Sequence, residues 1–309
     1  MFLCVPQGSI LGLLLFNVFI NDLLFILNGV DICNFADDNS IYCSGRPFDE
    51  VREMLGSARE KCLCWFRENH LTANPGKFQV VFLGTNAQDL SLCIDGKEKE
   101  ASNQVKLLGV TIDRYLKFDT HIRNLCSKAN NKINCLLRIR KFLSEDQAKR
   151  LSDAYILSSF NYCPLIWMFC GKQMGKLIAK TQKRCLRVVS GDWEQSLPNL
   201  LLKYKQPSIH TMHLRSLMVE VFKTLRGSGP QFMREHFVLK EIPFSLRRTQ
   251  LLALPPTSTK THGTRCIRFQ APLIWNSLPA EVKDASSIGD FKRKLRGVVL
   301  KCSCKLCSF

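Results

Sequence analysis

Ile-Cys-Asn-Phe-Ala-Asp-Asp-Asn-Ser-Ile-Tyr, at residues 32–42, places two adjacent carboxylates between short apolar runs. Apolar runs of this length are typical of strands, and the polar residues between them are typical of a tight turn. The stretch therefore predicts a hairpin with Asp37 and Asp38 at one rim. Mg²⁺ uses only one or two protein carboxylates and completes its shell with water and phosphate, so this rim is a candidate cation site. The alternative is that both residues only form the turn.

The segments around this hairpin alternate between helix and strand patterns. Residues 1–28 predict a buried helix with Ser9 as its N-cap, because the apolar run 10–20 is too short for a membrane span. Helical spacing of apolar residues follows at 46–70. Asn-Pro-Gly at 74–76 predicts a turn, 78–83 a strand and 105–112 a further strand. Residues 1–113 are thus predicted to mix helix and strand.

The chain after residue 113 is predicted to be mainly helical. A helix begins near His121, and Ser144 with Gln147 forms a capping box that starts another. A last helix is capped near Ser287. The fold class is therefore α+β, with predicted domains at 1–113, 114–190 and 191–309.

Composition narrows the classes of function and the cellular compartment. The 309 residues include 15 cysteines, an odd number without a secretory signal, which predicts reduced thiols and a nuclear or cytoplasmic protein that is not secreted. The net charge is +18, of which about +17 lies in residues 171–309. Such an excess favours polyanions such as nucleic acid, whereas no membrane anchor is recognisable.

Part of this positive charge recurs every three to four residues along one predicted helix. Phosphate contacts by such a stripe would give sequence-tolerant binding to nucleic acid, and the alternative is a solvated helix face. The stripe comprises Lys172, Lys176, Lys180, Lys183, Arg184 and Arg187.

Four motifs in order resemble the core of reverse transcriptases, most closely those of non-long-terminal-repeat (non-LTR) retrotransposons of the jockey and chicken-repeat type. The first two are carried by Val-Pro-Gln-Gly-Ser-Ile-Leu-Gly (5–12), Leu-Phe (15–16), Ile-Asn-Asp-Leu (20–23) and Phe-Ala-Asp-Asp (35–38). The next two are Leu-Thr-Ala-Asn-Pro-Gly-Lys (71–77) and Leu-Leu-Gly-Val-Thr-Ile-Asp (107–113). Segments 162–167 and 273–279 resemble the tails of these elements.

The resemblance implies a partial right-hand polymerase palm, made of a helix and an antiparallel hairpin, followed by a helical thumb and a basic C-terminal region. It implies RNA-directed DNA synthesis on an RNA template and DNA primer, with deoxynucleoside triphosphates as substrates and Mg²⁺ or Mn²⁺ as cofactor. Asp37 would be a metal ligand and Asp38 its supporting carboxylate, both contributing to two-metal phosphoryl transfer. Lys77 would lie near the triphosphate.

The remaining roles implied by the resemblance concern nucleotide and primer. The residues implied to line the nucleotide and template pocket are Pro6, Gln7, Gly8, Phe35 and Ala36. Leu108 and Gly109 would form the primer grip. A lone lysine such as Lys77 also has the simpler interpretation of a solvated charge.

Two departures from the family pattern modify the expected activity. Leu13 stands where the family usually has proline, and the first palm motif with its catalytic aspartate does not precede Pro6 in this sequence. Two carboxylates alone would position two cations poorly, so we expect the chain by itself to be inactive or nearly so. The alternatives are a non-catalytic nucleic-acid-binding protein and a degraded retroelement reading frame.

A weaker metal candidate lies at the C-terminus. Cys302, Cys304 and Cys307 have spacings that a zinc site can use, but the neighbouring sequence contains no histidine to act as the fourth ligand. Reduced surface thiols are the default prediction.

Overall fold

The computed structural model describes residues 8–27, 29–45, 47–84, 91–94, 97–240, 251–259, 262–300 and 302–303. The chain divides into two compact units, residues 1–105 (unit 1) and 106–309 (unit 2). Of the predicted site residues, Pro6, Gln7, Cys304 and Cys307 lie outside the described ranges.

Unit 1 combines helices with two-stranded antiparallel pairs. Its elements are α1 (Ile10–Ile20), α2 (Leu23–Ile26), β1 (Asp31–Phe35), β2 (Asp38–Tyr42), α3 (Phe48–Glu68), β3 (Ser91–Ile94) and β4 (Lys97–Glu100). The pairs β1–β2 and β3–β4 are both antiparallel. The helix predicted at 46–70 is confirmed as α3, and Asp49 and Glu50 in its first turn complement the helix dipole.

The core of unit 1 is small. Ile20, Leu23, Cys62 and Trp65 form a buried cluster that joins the first two helices to α3, and Ile32 and Ile41 of the hairpin pack against it. The hairpin is therefore held through one apolar face.

The prediction of a buried helix over residues 1–28 is wrong in its burial. Helix does form from Ile10, with Ser9 at the N-cap position but without a capping hydrogen bond, and it is interrupted at Asn21–Asp22. Most apolar side chains of α1 are exposed; Ile10 is 93% and Leu13 73% accessible. Almost every side of α1 is apolar, so packing one edge against the core leaves the remaining sides in solvent.

Two predicted strands also differ from the structure. Residues 78–83 do not form a strand; the Val80 carbonyl accepts a hydrogen bond from the Ser102 amide at 2.8 Å, but no ladder continues from it in the described part of the chain. The strand predicted at 105–112 is instead two strands, β5 (Gln104–Leu107) and β6 (Val110–Asp113), which form one sheet. The apolar run contains a turn at Leu108–Gly109 that its pattern did not indicate.

Unit 2 is mainly helical beyond β6. Its helices are α4 (Asp119–Ile139), α5 (Glu145–Leu151), α6 (Pro164–Trp167), α7 (Lys172–Ser190), α8 (Leu197–Lys203), α9 (Ile209–Leu225), α10 (Gln231–Arg234), α11 (Ile267–Asn276), α12 (Ala280–Lys283) and α13 (Ile288–Leu295). A π-helical turn (Ser152–Ile156) and a 3-10 turn (Leu157–Asn161) connect α5 to α6.

The capping predictions for this unit are confirmed. The Ser144 hydroxyl accepts from the Gln147 amide, and the Gln147 side chain accepts in return from the Ser144 amide. Ser287 likewise accepts from the Asp290 amide at the start of α13. Both caps satisfy amides that the first helical turn leaves unpaired.

Two buried clusters stabilise the part of unit 2 that the structure describes. One lies between β6, α4, α7 and the π-helical segment, and the other between α9, α11 and α13. Trp167 is 1% exposed, and its ring lies 5.0 Å from that of His213 and 6.0 Å from that of His121.

The architecture is α+β, as the sequence predicts: helices with small antiparallel sheets. The boundaries at residues 113 and 190 stay predictions. Within the described ranges, no helix combines the length and the apolar character that crossing a membrane requires.

Candidate active site and nucleic-acid interface

The Asp37–Asp38 pair lies at the tip of the β1–β2 hairpin. Phe35 and Asp38 are cross-strand partners, so Ala36 and Asp37 form a two-residue turn. Ala36 has a φ of 52°, the left-handed conformation that such turns require. The Asn39 side-chain amide donates to the Asp37 carbonyl at 3.3 Å and helps to close the turn.

The two faces of the hairpin have different chemistry. Ile32 and Ile41 are partners on the face that packs against the core, whereas Phe35 and Asp38 belong to the other face. Both Asp37 and Asp38 are exposed. The hairpin therefore presents two carboxylates to solvent on a buried apolar support.

A pair of asparagines beneath the turn was not singled out by the sequence analysis. Asn34 and Asn39 are cross-strand partners on the inner face. Both amide atoms of Asn34 and the Oδ1 atom of Asn39 are buried without a hydrogen-bond partner in the described part of the chain. Such atoms are uncommon in folded proteins and carry a free-energy cost. Their symmetrical placement around Phe-Ala-Asp-Asp is the signal that could have identified them.

The donor chemistry of the rim fits one divalent cation. Two exposed carboxylates can hold Mg²⁺ together with water and a phosphate. Among the residues that the structure describes, no group of three or more acidic, cysteine or histidine side chains is placed to hold a metal.

Lys77 and Gly8, two further predicted nucleotide-site residues, are exposed and lie outside the strands. Lys77 ends a 3-10 turn (Pro75–Lys77), in which the Asn74 side chain accepts from the Gly76 amide at 3.0 Å. The turn predicted at 74–76 is therefore confirmed, and the Lys77 side chain is exposed. Gly8 has a φ of 88° immediately before α1.

The Leu108–Gly109 turn, predicted as the primer grip, belongs to unit 2. Its φ angles are 44° and 85°, both left-handed. The Tyr162 hydroxyl donates to the Leu108 carbonyl at 2.6 Å. The turn is thus tied to the segment before α6, 54 residues along the chain.

Polar contacts also fix the segment that follows β6 and connect β6 to α4. The Asp113 carboxylate accepts from the amides of Tyr115, Lys117 and Phe118 at 2.6–3.1 Å. The Thr111 amide donates to Nδ1 of His121 at 3.3 Å. Burial, together with the nearby Lys128 charge, lowers the pKa of His121 and favours the neutral ring that this contact needs.

The basic stripe lies along α7, which contains six cations and no acidic residue. Lys172, Lys176 and Lys180 are exposed. The other three, Lys183, Arg184 and Arg187, are half-buried.

Arg184 and Arg187 are engaged within the protein. Arg184 donates to the side-chain oxygens of Asn130 and Asn134 on α4, at 2.6 and 2.7 Å. Arg187 donates to the Gln195 carbonyl at 3.0 Å. The stripe therefore contains two kinds of cation, exposed lysines and arginines that bind the chain's own carbonyl oxygens.

One of the C-terminal cysteines, Cys302, is disulfide-bonded, so the default prediction of reduced thiols is wrong for this residue. The Cys302 sulfur lies 3.5 Å from Nε2 of His210, a residue 92 positions earlier. The sequence spacing could not indicate this histidine. A metal site at Cys302, Cys304 and Cys307 stays a prediction.

Comparison with known proteins agrees with the motif pattern. Residues 1–112 match the family model described as "Reverse transcriptase (RNA-dependent DNA polymerase)". This segment contains the acidic hairpin, Lys77 and the Leu108–Gly109 turn. No solved structure gives a significant match.

Curated relatives extend the similarity beyond residue 112. The chain is 27% identical over 221 residues to the RNA-directed DNA polymerase from mobile element jockey of Drosophila funebris, covering 66% of this chain and 24% of the relative. It is 26% identical over 251 residues to a probable RNA-directed DNA polymerase from transposon BS of Drosophila melanogaster, covering 76% of this chain and 27% of the relative.

A third relative is the retrovirus-related Pol polyprotein from type-1 retrotransposable element R1 2 of Nasonia vitripennis, which is 26% identical over 177 residues, or 52% of this chain and 42% of the relative. The chain thus spans about a quarter of the jockey and BS relatives. Residues 1–112 thus match the reverse transcriptase family, and the chain is similar to the RNA-directed DNA polymerases of non-LTR retrotransposons.

Proposed function

We propose that this chain forms palm and thumb parts of an RNA-directed DNA polymerase, with an RNA template, a DNA primer and deoxynucleoside triphosphates as its ligands. The observation that carries the proposal is the hairpin that presents Asp37 and Asp38 to solvent within the family-matched segment. On this proposal, unit 1 contributes palm elements, and α4 and α7 belong to the thumb.

The chemistry assigned to the hairpin is phosphoryl transfer. Asp37 and Asp38 would hold a divalent cation, Mg²⁺ or Mn²⁺, which neutralises charge on the nucleotide phosphates and on the primer 3′-hydroxyl. Lys77 would add a positive charge near the triphosphate. Gln7, Gly8, Phe35 and Ala36 would line the nucleotide and template pocket, and Leu108 and Gly109 would contact the primer.

A second part of the proposal concerns binding rather than chemistry. The helices α4 and α7 contain one acidic residue, Asp119, among many cations. The exposed lysines of α7 would contact phosphates and release counterions, which makes affinity fall as salt rises. This contact depends little on sequence.

The rate of DNA synthesis by the chain alone is expected to be low. The two carboxylates of the rim are not joined by a third ligand among the described residues, and phosphoryl transfer depends on accurate positioning of the cations. Primer extension with purified chain, an RNA template and Mg²⁺ or Mn²⁺ should give little product. Robust template-dependent synthesis that Asp37→Asn abolishes and Glu53→Gln preserves would overturn this expectation.

The second candidate function is a nucleic-acid-binding protein without catalysis, which the basic character of α7 favours. The two candidates differ in their dependence on cation and nucleotide. If Mg²⁺ with the templated nucleotide strengthens binding to a recessed primer end in the wild type but not in Asp37→Asn, the polymerase assignment is supported. Binding that neither Mg²⁺ nor nucleotide changes supports the second candidate.

A further inference from the structure

The Leu108–Gly109 turn adopts a backbone conformation that its first residue disfavours. Two consecutive positive φ angles, 44° and 85°, are needed to reverse the chain between β5 and β6. Turns of this kind prefer Asn-Gly, because a side chain such as that of leucine is strained in the left-handed region. Strain of this kind persists only where surrounding contacts hold the backbone.

Tyr162 supplies that contact. Its hydroxyl donates a 2.6 Å hydrogen bond to the carbonyl of the strained Leu108. Its ring lies beside Gly109: a Cβ atom added to Gly109 would stand 3.5 Å from the ring edge. One side chain therefore holds both residues of the turn, one by a hydrogen bond and the other by packing.

Tyr162 is itself held by the core of unit 2. Its carbonyl accepts from the indole nitrogen of Trp167 at 3.3 Å, and Trp167 is almost fully buried. The ring of His121 lies 6.0 Å from that of Trp167, and His121 also accepts from the Thr111 amide in β6. The turn, through Tyr162, and β6, through His121, are thus both connected to Trp167 in the buried core.

We propose that Tyr162 is a positioning residue that holds the Leu108–Gly109 turn in the shape that binds the primer terminus. The proposal rests on the proposed function, because that function makes the turn a primer contact. Tyr162 acts through the turn backbone, because its hydroxyl donates the hydrogen bond to the Leu108 carbonyl.

The test compares Tyr162→Phe with Tyr155→Phe. The first substitution removes the hydrogen bond and keeps the ring against Gly109. Tyr155 is also a half-exposed tyrosine of unit 2, and its hydroxyl has no hydrogen bond in the described part of the chain. The probes are a DNA primer with a recessed 3′ end on an RNA template and a fully paired RNA·DNA duplex, both at one salt concentration.

Tyr162→Phe should weaken binding to the recessed end about three- to tenfold, the effect of losing one hydrogen bond that orders the binding conformation. Binding to the fully paired duplex should change by less than about twofold, since phosphate contacts dominate there. Tyr155→Phe should bind both probes as the wild type does. A purely structural role would lower binding to both probes in proportion to the fraction of protein that unfolds.

The outcomes separate this inference from the proposed function. If the wild type binds both probes and Tyr162→Phe loses nothing, or loses equally on both, the positioning role is wrong and the proposed function stands. If the wild type binds neither probe, the proposed function fails and the positioning role fails with it.

Discussion

Replacing Arg184 of α7 should reduce stability without reducing the salt dependence of nucleic-acid binding. Replacing the neighbouring Lys180 should reduce the salt dependence without reducing stability. Arg184 donates to Asn130 and Asn134, whereas Lys180, one turn earlier, is exposed and makes no ion pair within the described ranges. Arg184→Ala and Lys180→Ala therefore remove charges of the same sign from neighbouring positions of the same helix but remove different contacts.

The magnitudes follow from those contacts. Hydrogen bonds from a charged donor contribute about 1.5–3 kcal/mol each, and the half-exposed position of Arg184 places its pair together in about that range. For a unit of about 200 residues this corresponds to a fall in melting temperature of about 3–12 °C. Lys180→Ala should leave stability within about 0.5 kcal/mol of the wild type.

Binding should show the opposite pattern. A lysine that neutralises one phosphate contributes about 0.7–0.9 to the slope of log affinity against log salt. Lys180→Ala should lower the slope by about that amount, and Arg184→Ala should leave it unchanged at a temperature where the protein is folded. Chemical denaturation and filter-binding titrations at several salt concentrations measure the two quantities. If Arg184→Ala is as stable as the wild type and lowers the slope as Lys180→Ala does, then the distinction between a structural Arg184 and a phosphate-binding Lys180 is wrong.

Two further results are expected for unit 2. Asp113→Ala should lower the free energy of unfolding by about 1–3 kcal/mol, because three backbone amides lose their acceptor. Asp113→Asn keeps one acceptor oxygen and should lose less stability. Equal stability of the wild type and both variants in urea denaturation would contradict this role. Burial lowers the pKa of His210 and of His213 to about 4, so the folded state binds fewer protons than the unfolded state below pH 6.5. The contribution of the two neutral histidines to stability should be complete above pH 6.5 and be lost as the pH falls through about 4. Thermal melts of His213→Gln should therefore show a weaker pH dependence than those of the wild type. An identical pH dependence would refute the lowered pKa of His213.

Features set by neighbouring residues were predictable from the sequence. Ser144 and Gln147 cap α5 as their spacing indicated, and the family motifs located the hairpin around Asp37 and Asp38. In each case the signal and the structure involve residues within a few positions of one another.

Features set by distant residues were not predictable. Leu108 continues an apolar run, whereas the turn there is supported by Tyr162, 54 residues later. Arg184 has the same spacing as its neighbouring lysines, yet its asparagine partners lie at least 50 residues earlier. Helical periodicity identifies a face, but it does not reveal which other helix covers part of that face.

The unequal cores of the two units have a consequence for heat and proteases. Unit 1 has four buried apolar side chains in its described cluster, whereas each described cluster of unit 2 is several times larger. Stability grows with buried apolar area, so unit 1 should open first on warming, and two calorimetric transitions are expected. A protease should then trim residues before about 105 and leave a fragment that retains α4, α7 and Tyr162, so nucleic-acid binding could be examined separately from the acidic hairpin.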